Sequence, residues 1–205
     1  MKMEAFNFID LARNLENSLE LNEVSYLDFG YSMLLLNQML GILGKPIKLL
    51  FSDSLECAEF LIKNYEMFGK KLLKDQIAEE LSLGLESSNS EQNPSITGKT
   101  IILLKFCDFC LNFFNFLVNG REWETCKCLN QAYNLVYRKK SNWCKNLAFK
   151  VAAFEVYKKD QYLHKVFAHR IQDMQLGQLK LLVDLLVCLS FNLWKMFDNF
   201  QIKLS

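Results

Sequence analysis

Residues 179–197 read LKLLVDLLVCLSFNLWKMF, and how this stretch is housed decides what kind of helical protein the chain is. Leu181, Leu182, Val183, Leu185, Leu186, Val187, Leu189, Phe191, Leu193 and Trp194 make it apolar nearly all the way round, and a helix of that kind must be surrounded by protein or by lipid. A bilayer crossing needs about 20 predominantly apolar residues, and Lys180, Asp184 and Lys195 interrupt this one. Two other stretches pose the same choice. Phe29 to Gly44 is uncharged but holds Asn37 and Gln38; Ile101 to Gly120 is long enough but carries Lys105 and Asp108. Each suits a buried core helix or a membrane-associated one.

Toward the N-terminus the pattern is helical throughout. Ala5, Phe8, Ile9, Ala12, Leu15 and Leu19 recur at three- and four-residue steps, giving a first helix that ends near Glu20. Ser25 with Asp28 predicts a capped start for a second helix running to Gly44, where the glycine and Pro46 make the chain turn. Asp53 with Glu56 predicts a third capped start. Leu55, Ala58, Leu61, Ile62, Tyr65 and Phe68 then form an apolar stripe flanked by Lys63, Lys70, Lys71 and Lys74. From Gly84 to Gly98 the sequence turns to GLESSNSEQNPSITG, poor in apolar residues, and reads as a linker. Beyond it, Lys99–Asn119, Glu122–Tyr137, Asn142–Lys158, Tyr162–Gln175 and Gln178–Ile202 read as helices. No sustained alternation argues for a sheet, so the fold class is all-α: a bundle of about seven to nine helices, some of them amphipathic or membrane-associated. Its predicted organisation is an acidic helical segment 1–83, a flexible linker 84–98 and a basic helical segment 99–205.

Composition agrees with long helices, because 17 Phe stand beside only 8 Gly and 2 Pro. The net charge of +1 hides an asymmetry, −6 over residues 1–100 and +7 over 101–205. Most of the positive charge lies between Arg138 and Arg170. Arg138, Lys139, Lys140, Lys145, Lys158, Lys159, Lys165 and Arg170, with Lys150, are candidates for an anion-facing surface or a solvated helix face. The opening MKMEAFNFID lacks the pattern of a secretory signal, so a cytosolic start is expected. Seven cysteines at irregular positions, mostly within apolar helical pattern, are expected to be free thiols.

No chemical constellation assembles from these residues. Cys107-x-x-Cys110 with Cys126-x-Cys128 has four thiols, but the first pair sits in a Phe-dense helix and the second points to different helix faces, which is poor zinc geometry. Gly98-Lys99-Thr100 looks like the end of a phosphate-binding loop, yet the position of its first glycine is Asn93 and a polar linker precedes it. His164 and His169 are five apart and lack a third group to orient them. The predicted class is therefore non-enzymatic, with no cofactor and no metal. Trp143, Phe149, Phe154, Tyr157, Tyr162 and Phe167 interleave the basic stretch at core spacing, which argues against nucleic acid as a partner and for an anionic membrane surface.

The segment LGILGKPIKLL (Leu40 to Leu50), the Lys-flanked helix Leu55 to Ile77, the Phe-rich helix ending FLVNG at Gly120, the Trp143-to-Tyr157 helix and the terminal LKLLVDLLVCLSFNL together resemble the peroxin-eleven family of peroxisomal membrane-elongating proteins. The resemblance implies a helical, self-associating protein of the peroxisomal membrane that inserts amphipathic faces into one leaflet and curves it during organelle division. Leu55, Leu61, Ile62, Tyr65, Phe68, Leu182, Leu186 and Trp194 would be its membrane-inserting residues. The alternative is a cytosolic helical adaptor that docks a protein partner through its charged faces.

Overall fold

The computed structural model describes residues 7–19, 23–68, 72–84, 89–90, 93–120, 124–138, 143–154, 156–167 and 172–202. Ten helices run along them: α1 (Phe8–Asn17), α2 (Tyr26–Gly41), α3 (Lys45–Leu50), α4 (Ser52–Phe68), α5 (Leu73–Ser82), α6 (Ile96–Asn119), α7 (Thr125–Val136), α8 (Trp143–Phe154), α9 (Lys159–Phe167) and α10 (Gln172–Asn199). The fold is all-α, with slightly more helices than the sequence pattern predicts. The extra one arises at Gly44. The second helix stops at Gly41, three residues before the expected Gly44, and Gly44, with a φ of 141°, caps the start of α3, where Pro46 sits in the first turn and its missing N–H costs nothing.

The Phe-rich α6 is the hub. It packs against α10, α7, α4 and α5, and α1 closes the ring by touching both α2 and α10. Phe106, Phe109, Phe113 and Phe114 of α6 have no exposure, and each contributes about 2 kcal/mol of apolar burial. The helix that protein surrounds is therefore α6 and not α10. Leu179, Leu182, Leu186, Leu189, Leu193 and Phe197 of α10 are fully buried, but Phe191 on its other side is 66% exposed. Apolar residues all round α10 thus do not mean that it is buried all round.

Local polar chemistry explains where α6 starts. The buried Glu80 at the end of α5 accepts from the Ile96 amide at 2.5 Å, the Thr97 amide at 2.8 Å, the Thr97 hydroxyl at 2.7 Å and the Ser95 hydroxyl at 3.1 Å. A carboxylate thus occupies the positive end of α6, where a phosphate would sit if Gly98-Lys99-Thr100 were a phosphate loop. Lys99 instead lies over the Phe60 ring, 5.9 Å from its centroid. The Gly84–Gly98 stretch contains a two-residue antiparallel pair, β1 (Asn89–Ser90) and β2 (Asn93–Pro94), and the first turn of α6. One cluster of buried apolar side chains includes residues from both sides of it.

The expected capping of α2 is realised differently. The Ser25 hydroxyl donates to Asp28 Oδ2 at 2.5 Å rather than capping a backbone amide. Asn37, buried in α2, accepts from the Ser54 hydroxyl at 2.9 Å and so ties α2 to α4. Val24 and Leu73 are joined by a backbone hydrogen bond of 3.0 Å, and an ion pair between Lys74 and Glu23 lies beside it.

Candidate functional site

The C-terminal half of α7, with Arg138 just after it, and the facing side of α8 border a cleft of about 310 Å³. Asn130, Tyr133 and Asn134 come from α7, Arg138 follows just beyond its end, and Asn146, Leu147 and Lys150 come from α8. Tyr133 and Asn134 lie three and four positions on from Asn130, so one face of α7 presents two amides and a phenol to the space, and Arg138 beyond the helix end adds a guanidinium. Lys150 brings a second cation. Both Arg138 and Lys150 are exposed, and opposite them the amides of Asn130, Asn134 and Asn146 offer donors and acceptors together.

One aromatic side chain, Tyr133, lines this cleft, and it is backed by packed rings. Tyr133 stacks on Phe149 with centroids 3.9 Å apart, and Phe149 meets Phe109 edge-on at 6.1 Å and Phe51 at 6.4 Å. From Phe109 the rings continue along α6 to Phe113 at 6.3 Å and on to Tyr162 at 6.0 Å. Tyr162 is fully buried and donates its hydroxyl to the Met39 carbonyl at 3.3 Å. An apolar column thus leads from a polar surface cleft into the core. Tyr137 sits at its rim, 6.4 Å from Phe51. Burial drives its phenol well above the ordinary value, and the neighbouring acidic groups, Asp108 and Asp53 among them, add to the effect. Asp53, in the first turn of α4, is an exposed carboxylate on this side of the molecule.

The predicted basic surface is divided. Arg138 lines the cleft. Lys158 is exposed, Lys159 donates to the Gly120 carbonyl at 3.2 Å, and Lys165 lies over the Tyr157 ring at 3.4 Å. Lys139, Lys140 and Arg170, and the side chain of Lys145, lie outside the described residues. Of the predicted membrane-inserting residues, Leu61, Leu182 and Leu186 have no exposure, and they touch protein in this conformation. Leu55, Ile62 and Tyr65 are half-buried, with Tyr65 stacked on Tyr26 at 6.0 Å. Trp194 is 40% exposed, and the side chain of Phe68 lies outside the described residues. Sequence reasoning missed Asn130, Tyr133, Asn134, Tyr137 and Asn146 and took Asp53 only as a helix cap. The readable signal was the polar stripe of α7 running into Arg138.

Four of the described cysteines, Cys57, Cys107, Cys110 and Cys128, are buried packing residues. Cys107 and Cys110 are fully buried, and desolvation holds both thiols far above their usual range; Cys57 and Cys128 are pushed up to about 11 for the same reason. The six cysteines whose side chains are described are free.

Against known proteins, the family profile described as Glycolipid transfer protein (GLTP) matches residues 24–168. Among curated protein sequences none matches this chain. Solved structures are similar in fold. The apo-form of mouse ceramide-1-phosphate transfer protein is 15% identical, with a TM-score of 0.87 and coverage of 98% of this chain and 100% of that one. An aspartate-to-asparagine mutant of Arabidopsis accelerated-cell-death 11, complexed with C12 ceramide-1-phosphate, is 12% identical, with a TM-score of 0.85 and 96% of each chain covered. The GLTP fold with which FAPP2 selects simple glycosphingolipids is 18% identical, with a TM-score of 0.73 and 90% of each covered.

These findings overturn the peroxin-eleven resemblance. The membrane-elongating function and the peroxisomal location rested on it and fall with it, and the adaptor alternative, which has no lipid to carry, falls too. The helix order and the Lys-Pro turn that suggested that family are features any Phe-rich bundle with a broken second helix can share. With 24–168 of its 205 residues matched, the chain belongs to the glycolipid transfer protein family.

Proposed function

We propose that this protein binds a sphingolipid bearing a polar head on a ceramide-like body and carries it between membranes. The head lies in the cleft between α7 and α8, and the hydrocarbon follows the aromatic column behind Phe149 toward Phe113 and Tyr162. The observation that carries the reading is the junction of an Arg- and Lys-bearing cleft with that column, in a chain of this family. Sphingolipid bodies have an amide N–H and a hydroxyl, and Asp53 beside the rim is the carboxylate that accepts from them. Arg138 and Lys150 favour a phosphate head over a neutral sugar, because charge-assisted contacts discriminate where amides alone do not.

Burying hydrocarbon is worth about 0.8 kcal/mol per methylene, so a chain of a dozen carbons leaves a bilayer only if the protein offers comparable apolar contact. The Phe-rich interior around α6 supplies that chemistry. The exposed bases Lys158 and Lys165 hold the protein to anionic headgroups while the lipid crosses.

Transfer of fluorescent ceramide-1-phosphate and of fluorescent galactosylceramide between donor and acceptor vesicles tests the proposal. Protein-dependent transfer with the phosphate lipid faster is expected. Failure to move either lipid would overturn it, and faster movement of the sugar lipid would overturn the assignment of the head.

A further inference from the structure

The solvent face of α10 has an order of its own. Leu181, Val187, Phe191 and Trp194 are 42%, 48%, 66% and 40% exposed. Lys180, Asp184, Cys188, Lys195 and Asp198 are exposed as well, and at 100° per residue all nine fall in one band about 140° wide. The apolar residues occupy the middle and flanks of the band. The charges stand toward its ends, in the order Lys180, Asp184, Lys195, Asp198.

Those charges are arranged symmetrically and with opposite sign. Lys180 and Asp198 lie equally far from residue 189, and Asp184 and Lys195 are centred within half a residue of the same point. Two copies of α10 laid antiparallel about a two-fold axis there set Lys180 opposite the second copy's Asp198 and Asp184 opposite the second copy's Lys195. Val187 and Cys188 then meet the second copy's Phe191. A parallel pairing sets each charge against itself. Among the described residues, none of the four is in an ion pair within its own chain.

We propose that this face of α10 binds a second copy of the same chain in an antiparallel, two-fold pair. A lipid surface fits the band less well, since Asp184 and Asp198 would meet anionic headgroups of their own sign. The band from Lys180 to Asp198 is about 27 Å long. One helix pair of that length buries less than the roughly 1,200 Å² of a standard stable interface. The dimer is therefore reversible and forms at tens to hundreds of micromolar protein, and the lipid-binding reading stands or falls independently of it.

Sedimentation velocity of the full chain across about 5 to 500 µM tests this. The wild type should pass from monomer toward dimer. Phe191→Glu should raise the midpoint at least about tenfold, Asp184→Lys should raise it as well, and Asp184→Lys combined with Lys195→Asp should restore it. Because these side chains are exposed, thermal melts of the variants should stay near that of the wild type. If Phe191→Glu lowers the melt, the charge-swap pair decides alone. A monomer at every concentration, a dimer indifferent to Phe191→Glu, or a double swap that does not restore association would overturn the proposal. So would a wild type that stays monomeric while Phe191→Glu abolishes its binding to phosphatidylcholine–phosphatidylserine vesicles, since that outcome assigns the face to lipid.

Discussion

Trp194 donates its indole N–H to Asp108 Oδ2 at 3.1 Å, and the Ser190 hydroxyl donates to Oδ1 of the same carboxylate at 2.5 Å. One half-buried acid in the Phe-rich helix thus holds the C-terminal helix in register through both of its oxygens. Burial raises the Asp108 carboxyl above its usual value near 3.8, and the two hydrogen bonds pull it only part of the way back. The folded state then binds this proton more tightly than the unfolded state does. Protonation favours the fold, and the contribution of Asp108 to stability falls as pH rises from 3.8 through the raised value. Asp108→Asn removes that dependence while its carbonyl oxygen can still accept from the Trp194 indole and its NH2 can donate to the Ser190 hydroxyl. Melts of wild type and variant should diverge in favour of the wild type as pH is lowered through this window, and parallel curves would refute the assignment.

The carboxylate of Glu80 is the second acid with an assigned task. It accepts from two backbone amides and two hydroxyls at the start of α6. Glu80→Ala leaves the Ile96 and Thr97 amides buried without a partner and should cost about 3 kcal/mol. Urea titration should show the lower midpoint with an unchanged slope.

Leu61→Asp places a charge at a position with no exposure, opposite α2, where a β-carbon on Gly30 would lie 2.9 Å from Ile62 Cγ1. A carboxylate has no room to reach water there. The fold should lose at least about 4 kcal/mol, a fall of roughly 10 °C in the melting midpoint for a chain of this size. The loss should appear with no lipid present.

Replacing Arg138 and Lys150 together with Ala should slow ceramide-1-phosphate transfer about tenfold and leave galactosylceramide transfer within about twofold, as two charge-assisted contacts to a phosphate are removed. Equal loss for both lipids would mean that the cleft serves docking and not the head.

Much of the fold is written locally. The Phe run closed by Gly120 announces α6, and Gly44 with Pro46 marks the turn between α2 and α3, because cap and period are read within a few residues. What the pattern does not carry is which side of an evenly apolar helix meets protein. Only the packing of α1 and α6 on α10 separates Leu186 from Phe191. The cleft is harder still. Asn134 and Lys150 lie sixteen positions apart on different helices, and neither is notable until α8 folds back against α7. The likeness to peroxin-eleven proteins failed because it was carried by the order of helices and by no residue with a task.

The tie between Glu80 and Ser95, Ile96 and Thr97 also separates the start of the central helix from the chain that leads to it. The first turn of α6 is held both by Ser95, which accepts from the Gly98 amide, and by Glu80 from fifteen positions earlier, so the intervening connection is free to lengthen, shorten or change composition over evolutionary time without moving the helix. The same independence makes that connection the natural place to open new termini by circular permutation, or to splice in a reporter peptide, with Glu80 and Thr97 kept on either side of the cut.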